Sequence, residues 1–163
     1  ITIFGSVAGT GAYISGAANL PAEGNNITDN LFNVVTNTTN NLGISIASNV
    51  NWNLFADNNI TVNGTSGLNG IKLVGTATLP VDNNTFSNNS IKLIGTAGSN
   101  WGIYFTLNVK GNNVTYNNIS TTGTTLNYGI YFLGTTNGRV INNVISSNNI
   151  STNGNFISIH CSG

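Results

Sequence analysis

Apolar and polar residues alternate through short runs of this chain, and the runs recur. In Gly102-Ile103-Tyr104-Phe105, Ile103 and Phe105 share one parity and Tyr104 takes the other. The same parity holds for Ile71 and Leu73 about Lys72, and for Ile130 and Phe132 about Tyr131. Period-two alternation places one set on each face of a strand. The runs are short, rich in β-branched residues and bounded by Gly or Asn, which predicts strands. No stretch carries a helical stripe.

Three landmarks repeat along the chain. A Gly-Ile-x-apolar strand occurs at Gly43, Gly70, Gly102 and Gly129, with degenerate copies at Gly11-Ala12-Tyr13-Ile14 and Phe156-Ile157-Ser158-Ile159. An Asn pair occurs at Asn25, Asn83, Asn112 and Asn142, with Asn53-Leu54 as a degraded copy. An apolar residue followed four positions later by Gly occurs at Ile1, Ile60, Ile91, Ile119 and Ile150, and Leu31 fills the gap in that series. The period is about 29 residues, and the variation in spacing is expected in one longer loop per coil.

Near-identical segments recurring once per period predict a coiled parallel sheet, each strand bonding to its own copy one coil away. The expected fold is all-β: a right-handed, single-stranded parallel β-helix of five to six coils, spanning residues 1–163 as one domain that is a module of a longer chain. Columns of like residues fill its interior. One is expected to hold Ile44, Ile71, Ile103, Ile130 and Ile157, and another Ile46, Leu73, Phe105, Phe132 and Ile159. Burying each such side chain stabilises the fold by about 1.5–3 kcal/mol. Asn tolerates the left-handed backbone of sharp corners, and its amides can bond from coil to coil as a ladder. Asn59, Asn118 and Asn149, each just before its Ile, are the expected rungs, with Asn30 before Leu31.

The Asn-Asn-x-apolar and Gly-Ile-x-apolar motifs resemble the repeats of the pectin-lyase-like superfamily, over nearly the whole chain. The resemblance implies a β-helix architecture shared by polysaccharide lyases and hydrolases, phage tailspikes, adhesins and secreted passenger domains. It identifies a fold rather than an activity.

Composition narrows the function. Only 5% of residues are charged and the formal net charge is zero, so the chain has no electrostatic footprint for nucleic acid or for an anionic membrane surface. No apolar run approaches a membrane span. The four acids are Glu23, Asp29, Asp57 and Asp82. Glycoside hydrolysis usually needs two carboxyl groups, and lyases of the superfamily use an acidic Ca²⁺ site with a basic catalyst. Asp29 and Asp57 fall on consecutive coils and could form one carboxylate pair, although Asp's preference for turns gives the plainer reading. Arg139 follows the turn-like Asn137-Gly138 and reads as a solvated loop residue. His160 and Cys161, as strand neighbours, face opposite ways and cannot share a metal. No catalytic set, metal site or cofactor is expected, and the chain reads as non-enzymatic.

The candidate binding site comes from stacking the coils. Tyr104 and Tyr131 occupy one outward position on successive coils, Trp101 and Tyr128 the position before Gly, and Lys72 lies one coil earlier. Such an aromatic patch suits sugar rings or protein partners, while cross-coil stacking that braces the sheet is the plainer reading. The expected role is an extracellular or cell-surface scaffold or adhesin that binds carbohydrate or surface polymer there. The alternatives are a filament subunit self-associating through open β-helix ends, and a polysaccharide-active enzyme of the pectin-lyase-like type. Sequons for N-glycosylation recur, as at Asn26, Asn59, Asn113 and Asn118, and several are expected to place Asn in the ladder, where a glycan would not fit.

Overall fold

The computed structural model describes residues 1–162, apart from the side chains of Asn155 and Phe156. The chain is a parallel β-solenoid of about five turns at a spacing of ~29 residues, with no helix among the described residues. Every strand-to-strand ladder is parallel and joins a segment to its counterpart one coil away, as in Ile71↔Ile103 and Ile103↔Ile130.

Each full coil has four sides. The first face carries Leu31–Thr36, Asn59–Gly64 and Ser90–Gly95; the second carries Thr10–Ser15, Leu42–Ala47, Asn69–Val74 and Asn100–Thr106. In the last coils Asn118–Leu133 and Asn149–Ser162 run through the bend between these faces and join them into one 10-stranded sheet. The third side is a five-stranded sheet of two-residue strands, among them Val50–Asn51 and Val81–Asp82. The fourth is a five-stranded sheet of three-residue strands: Asn26–Thr28, Leu54–Ala56, Thr85–Ser87, Asn113–Thr115 and Val144–Ser146.

All four sides turn their apolar parity inward. Ile44, Ile71, Ile103 and Ile130 form a fully buried column on the second face, and Val50, Val81 and Val109 form one on the third. Phe55 and Phe86 stack on the fourth side, with ring centroids 4.9 Å apart. Gly43, Gly70 and Gly102 are glycine because the opposite face comes so close: a Cβ at each would meet an Ile methyl of the first face and the carbonyl oxygen of the next Gly. Among them they admit Ile60, Ile91 and Ile119 to the centre of the coil.

Two corners hold the asparagine ladders. One runs Asn25, Asn53, Asn84, Asn112, Asn143, and the other Asn30, Asn58, Asn89, Asn117, Asn148, with amide-to-amide bonds of 2.9–3.1 Å throughout. Each rung after the first is met twice by the rung one coil before it: Asn84 Oδ1, for example, accepts from both the backbone N–H and the Nδ2 of Asn53. The expected rungs Asn59, Asn118 and Asn149 are corrected by one position. They face solvent, and only Asn149 and Asn118 bond to each other, at 3.1 Å on the outside. Period-two geometry explains the shift. With Ile60 pointing inward, Asn59 must point outward, and the inward amide belongs to Asn58. Asn30 is a rung as expected, but its apolar partner is Phe32, which pairs with Ile60, while Leu31 is exposed.

The end of the second face is also corrected. Ile159, not Ile157, continues the Ile130 column, Cys161 continues the Phe132 column, and Ile157 pairs with Tyr128. A register shift between Thr122 and Leu126 moves the final strand relative to the spacing expected.

The longer loop belongs to every second coil rather than to each. Residues 16–21, 75–80 and 134–139 form protruding corners closed by short hydrogen bonds, Ala17 to Leu20, Thr76 to Leu79 and Thr135 to Gly138. The coils between turn through only Ser48-Asn49 and Leu107-Asn108, with all four residues in the left-handed region. Consequently the rungs are separated alternately by 28 and 31 residues. The true sequence unit is a pair of coils. Pro21 and Pro80 lie 59 positions apart, as do Gly16, Gly75 and Gly134 in turn, with no gap needed between copies.

Candidate functional site

The outward side of the second face brings all five expected residues together. Lys72, Tyr104 and Tyr131 pair across successive strands, and Trp101 pairs with Tyr128. The Trp101 ring lies 5.5 Å from Tyr104 and 6.4 Å from Tyr128, nearly parallel to the latter at 3°. Tyr104 and Tyr131 are 5.4 Å apart, and Tyr128 and Tyr131 4.7 Å apart. Lys72 Nζ sits 5.6 Å above the Tyr104 ring, a cation–π contact.

One member was not foreseen. His160 stacks on Tyr131 at 5.2 Å and 3° and also approaches Tyr128 at 5.5 Å. Its pairing with Tyr131 is the signal that could have revealed it, had the terminal strand been set in register. Tyr131 Oη and Ser162 Oγ share a hydrogen bond of 3.0 Å beside it. The shelf is therefore a stack along the solenoid axis: Lys72, Tyr104, Tyr131, His160. In such a stack the ring faces cover one another, and Tyr128 is only 8% exposed.

Burial holds the Tyr104 phenol above its ordinary value of 10.0; a hydrogen bond with the Thr106 side chain draws it part-way back, and Tyr131 pushes it up. Burial, and then Tyr131, raise Tyr128 as well. Two buried polar atoms at the shelf's edge lack partners: the Trp101 indole N–H and Asn69 Oδ1, on residues directly paired across strands.

The acids lie elsewhere. Asp29 and Asp57 occupy one corner on adjacent coils, both exposed and both in the left-handed region at φ 58 and 56. Each donates its backbone N–H to the next coil, Asp29 to Ala56 and Asp57 to Ser87, as turn residues do. Asp82 pairs with Lys110 at 4.0 Å on the third side. Arg139 is exposed on the last long corner. His160 pairs with Tyr131 on the outer side, and Cys161 with Phe132 in the adjacent register. No group of three or more metal-binding side chains occurs among the described residues. A cavity of about 770 Å³ opens at the last coil, lined by Phe132, Val140, Ile145, Ile159 and Cys161 among others; it continues the interior columns, and no shelf residue lines it.

The sequons do not fall on the ladders. Every rung is followed two positions later by an inward apolar residue, as in Asn84-Thr85-Phe86, so a rung cannot begin an Asn-x-Ser/Thr triplet. Asn26, Asn59 and Asn118 are exposed and Asn113 is half-buried.

Comparison with known proteins finds no matching family model, curated protein or solved structure.

Proposed function

We propose that this chain is a structural scaffold of the extracellular, adhesive β-helix type, similar in build to the pectin-lyase-like superfamily, and that its aromatic shelf contacts carbohydrate or a cell-surface polymer. The observation that supports this reading is the convergence of Trp101, Tyr104 and Tyr131 on one outward face, over the buried Tyr128 and beside Lys72 and His160. Aromatic residues with polar tips are suited to ligands that are apolar on one side and hydroxylated on the other. Because the ring faces are occupied by neighbours, the available surface is made of ring edges, phenol hydroxyls and the Lys72 ammonium. That favours hydrogen bonding along a polymer over burial of a single sugar. The parallel strands of the second face hold these groups on successive coils about 4.8 Å apart.

A glycan array tests the shelf. The wild-type chain is expected to give hits that fall at least several-fold with Tyr104→Ala and Tyr131→Ala combined, while the melting temperature of the double variant stays well above the assay temperature. An array without hits, or hits that the double variant retains in full, removes the reading.

A further inference from the structure

The two ladder corners demand a left-handed residue before every rung, and the chain meets that demand in two ways. At the first corner the residues are Gly24, Trp52, Asn83, Gly111 and Asn142; at the second they are Asp29, Asp57, Asn88, Tyr116 and Ser147. Eight of these ten are Gly, Asn, Asp or Ser, types that enter this region readily or are small enough to tolerate it. Trp52 and Tyr116 are not. Both hold φ 58, and both are 66% exposed. A bulky residue with positive φ is a conformational outlier. Their rings are mostly in solvent, so packing does not repay the strain, and neither ring forms an aromatic pair with another among the described residues. Retained backbone strain with no folding benefit points to a contact made outside the chain.

We infer that Trp52 and Tyr116 are the two aromatic anchors of a second ligand surface, laid diagonally across the fourth side, and that its ligand is a neutral polysaccharide. Trp52 flanks one edge of that side and Tyr116 the other, two coils further on. With about 4.8 Å per coil and ~3.3 Å per strand residue they stand roughly 15–20 Å apart, with the three-residue strands of that side between. The ground between them is Leu54, Thr85, Ser87 and Asn113, small or half-buried side chains that leave both rings proud of the surface. No residue in the five strands of this side is charged, and the acids Asp29 and Asp57 lie along its edge. A polyanion would meet no cation here. A protein partner would meet hydroxyls and amides where an interface core is usually apolar. A neutral glycan would stack its C–H faces on two free rings and hydrogen-bond to the hydroxyls between them. The ligand class rests on the carbohydrate reading above, but the site is a different one, on a different side of the coil.

The chain has two tryptophans, Trp52 here and Trp101 in the shelf, so emission can be assigned to each. In the Trp101→Phe protein, titration with hydroxyethylcellulose or glucomannan is expected to shift or quench Trp52 emission; polygalacturonate is expected to leave it unchanged. Native gels containing the neutral polymers are expected to retard the wild-type chain. Trp52→Asn and Tyr116→Asn should each weaken that retardation about tenfold while raising the melting temperature by a few degrees, since Asn suits the backbone better. Trp52→Phe, which keeps a ring, should retain most binding. The inference is overturned if Trp52 emission ignores both neutral polymers, if it responds only to polygalacturonate, or if the Asn variants bind like wild type. It is equally overturned if they melt lower, for the rings would then be packing residues. A shelf that fails its array test while Trp52 still responds would leave this site standing alone.

Discussion

The two ladder corners and the turn between the first and second faces are built from the same residue, with opposite results. At the corners, asparagine amides bond without a break through all five coils, and the two ladders stay five positions apart in every coil, as Asn25 is from Asn30 and Asn143 from Asn148. At the turn, Asn41, Asn100 and Asn127 begin a third column, but Leu68 interrupts it. Asn100 donates to Asn127 at 2.9 Å, whereas Asn41 falls back on the carbonyls of Thr38 and Asn63. The difference lies first in residue identity, since Leu68 supplies no side-chain amide, and then in spacing. A three-residue strand between two corners fixes where each amide sits. The turn varies from residues 37–41 to residues 65–68 and 96–99, and vanishes within Asn118–Leu133. Constant chain length keeps an amide at every rung of the corners; at the turn Asn100 and Asn127 still bond across segments of different length, and the column breaks where Leu68 replaces the amide.

Removing a central rung should break this contrast most sharply. Asn89 is 1% exposed; its amide donates to Phe55 and Asn117 and accepts twice from Asn58. Asn89→Ala would orphan all these groups in the interior, and a loss of about 3–5 kcal/mol is expected in chemical denaturation. Asn100→Ala, in the interrupted column, orphans fewer groups, the Leu68 N–H, the Thr122 carbonyl and the Asn127 amide oxygen, and should cost about 2–3 kcal/mol. Equal losses at the two sites would show that ladder continuity adds nothing to the individual bonds.

A smaller effect of opposite sign is expected at Thr121. This side chain replaces an aliphatic one in the column of Val62 and Leu93, is 1% exposed, and its hydroxyl has no partner. Unlike the rungs, it is a buried polar group that nothing satisfies. Thr121→Val keeps the shape and removes the desolvated hydroxyl, so a gain of about 1 kcal/mol is expected in the same denaturation measurement.

The smallest effect is on pH dependence, because the ladders contain no titratable group and the shelf does. The Tyr104 and Tyr128 phenols are raised above 10.0 in the folded chain, so their neutral form is favoured there. Their contribution is complete below the ordinary phenol value and is lost as pH rises through the folded-state value. Melting temperature should hold steady from neutrality to about pH 9 and fall beyond it, in step with tyrosinate absorbance. Tyr104→Phe with Tyr128→Phe should flatten that fall.

The strands of the coil, their parity and the five shelf residues were all legible in the sequence, because period-two alternation and a repeated Gly-Ile motif leave little freedom once copies are stacked. Three of the four expected rungs, Asn59, Asn118 and Asn149, were misplaced by one residue for a physical reason. In Asn58-Asn59, Asn117-Asn118 and Asn148-Asn149 the rung is the first amide, as it is in Asn112-Asn113, whereas in Asn83-Asn84 it is the second, so a pair by itself carries no phase. The phase lies in the inward apolar residue two positions on, Phe86 or Val114. His160 was missed because the final strand follows a register shift that no motif marks. The strain at Trp52 and Tyr116 could not be read locally, since a residue's backbone region is set by the corner it occupies rather than by its own side chain.

The ungapped pairing of coils has a consequence for how such a rod changes length. Residue 59 precedes Ile60 and residue 118 precedes Ile119, and both junctions lead from an outward Asn into an inward Ile of the same column. Joining Asn59 directly to Ile119 would excise one whole cassette and reseat every amide, corner and interior contact on an equivalent neighbour. Duplicating the cassette would do the reverse. The molecule is thereby graduated like a ruler, in steps of two rungs or roughly 9.6 Å, and homologous recombination at the gene could lengthen or shorten it by whole divisions without a fresh solution to the folding problem.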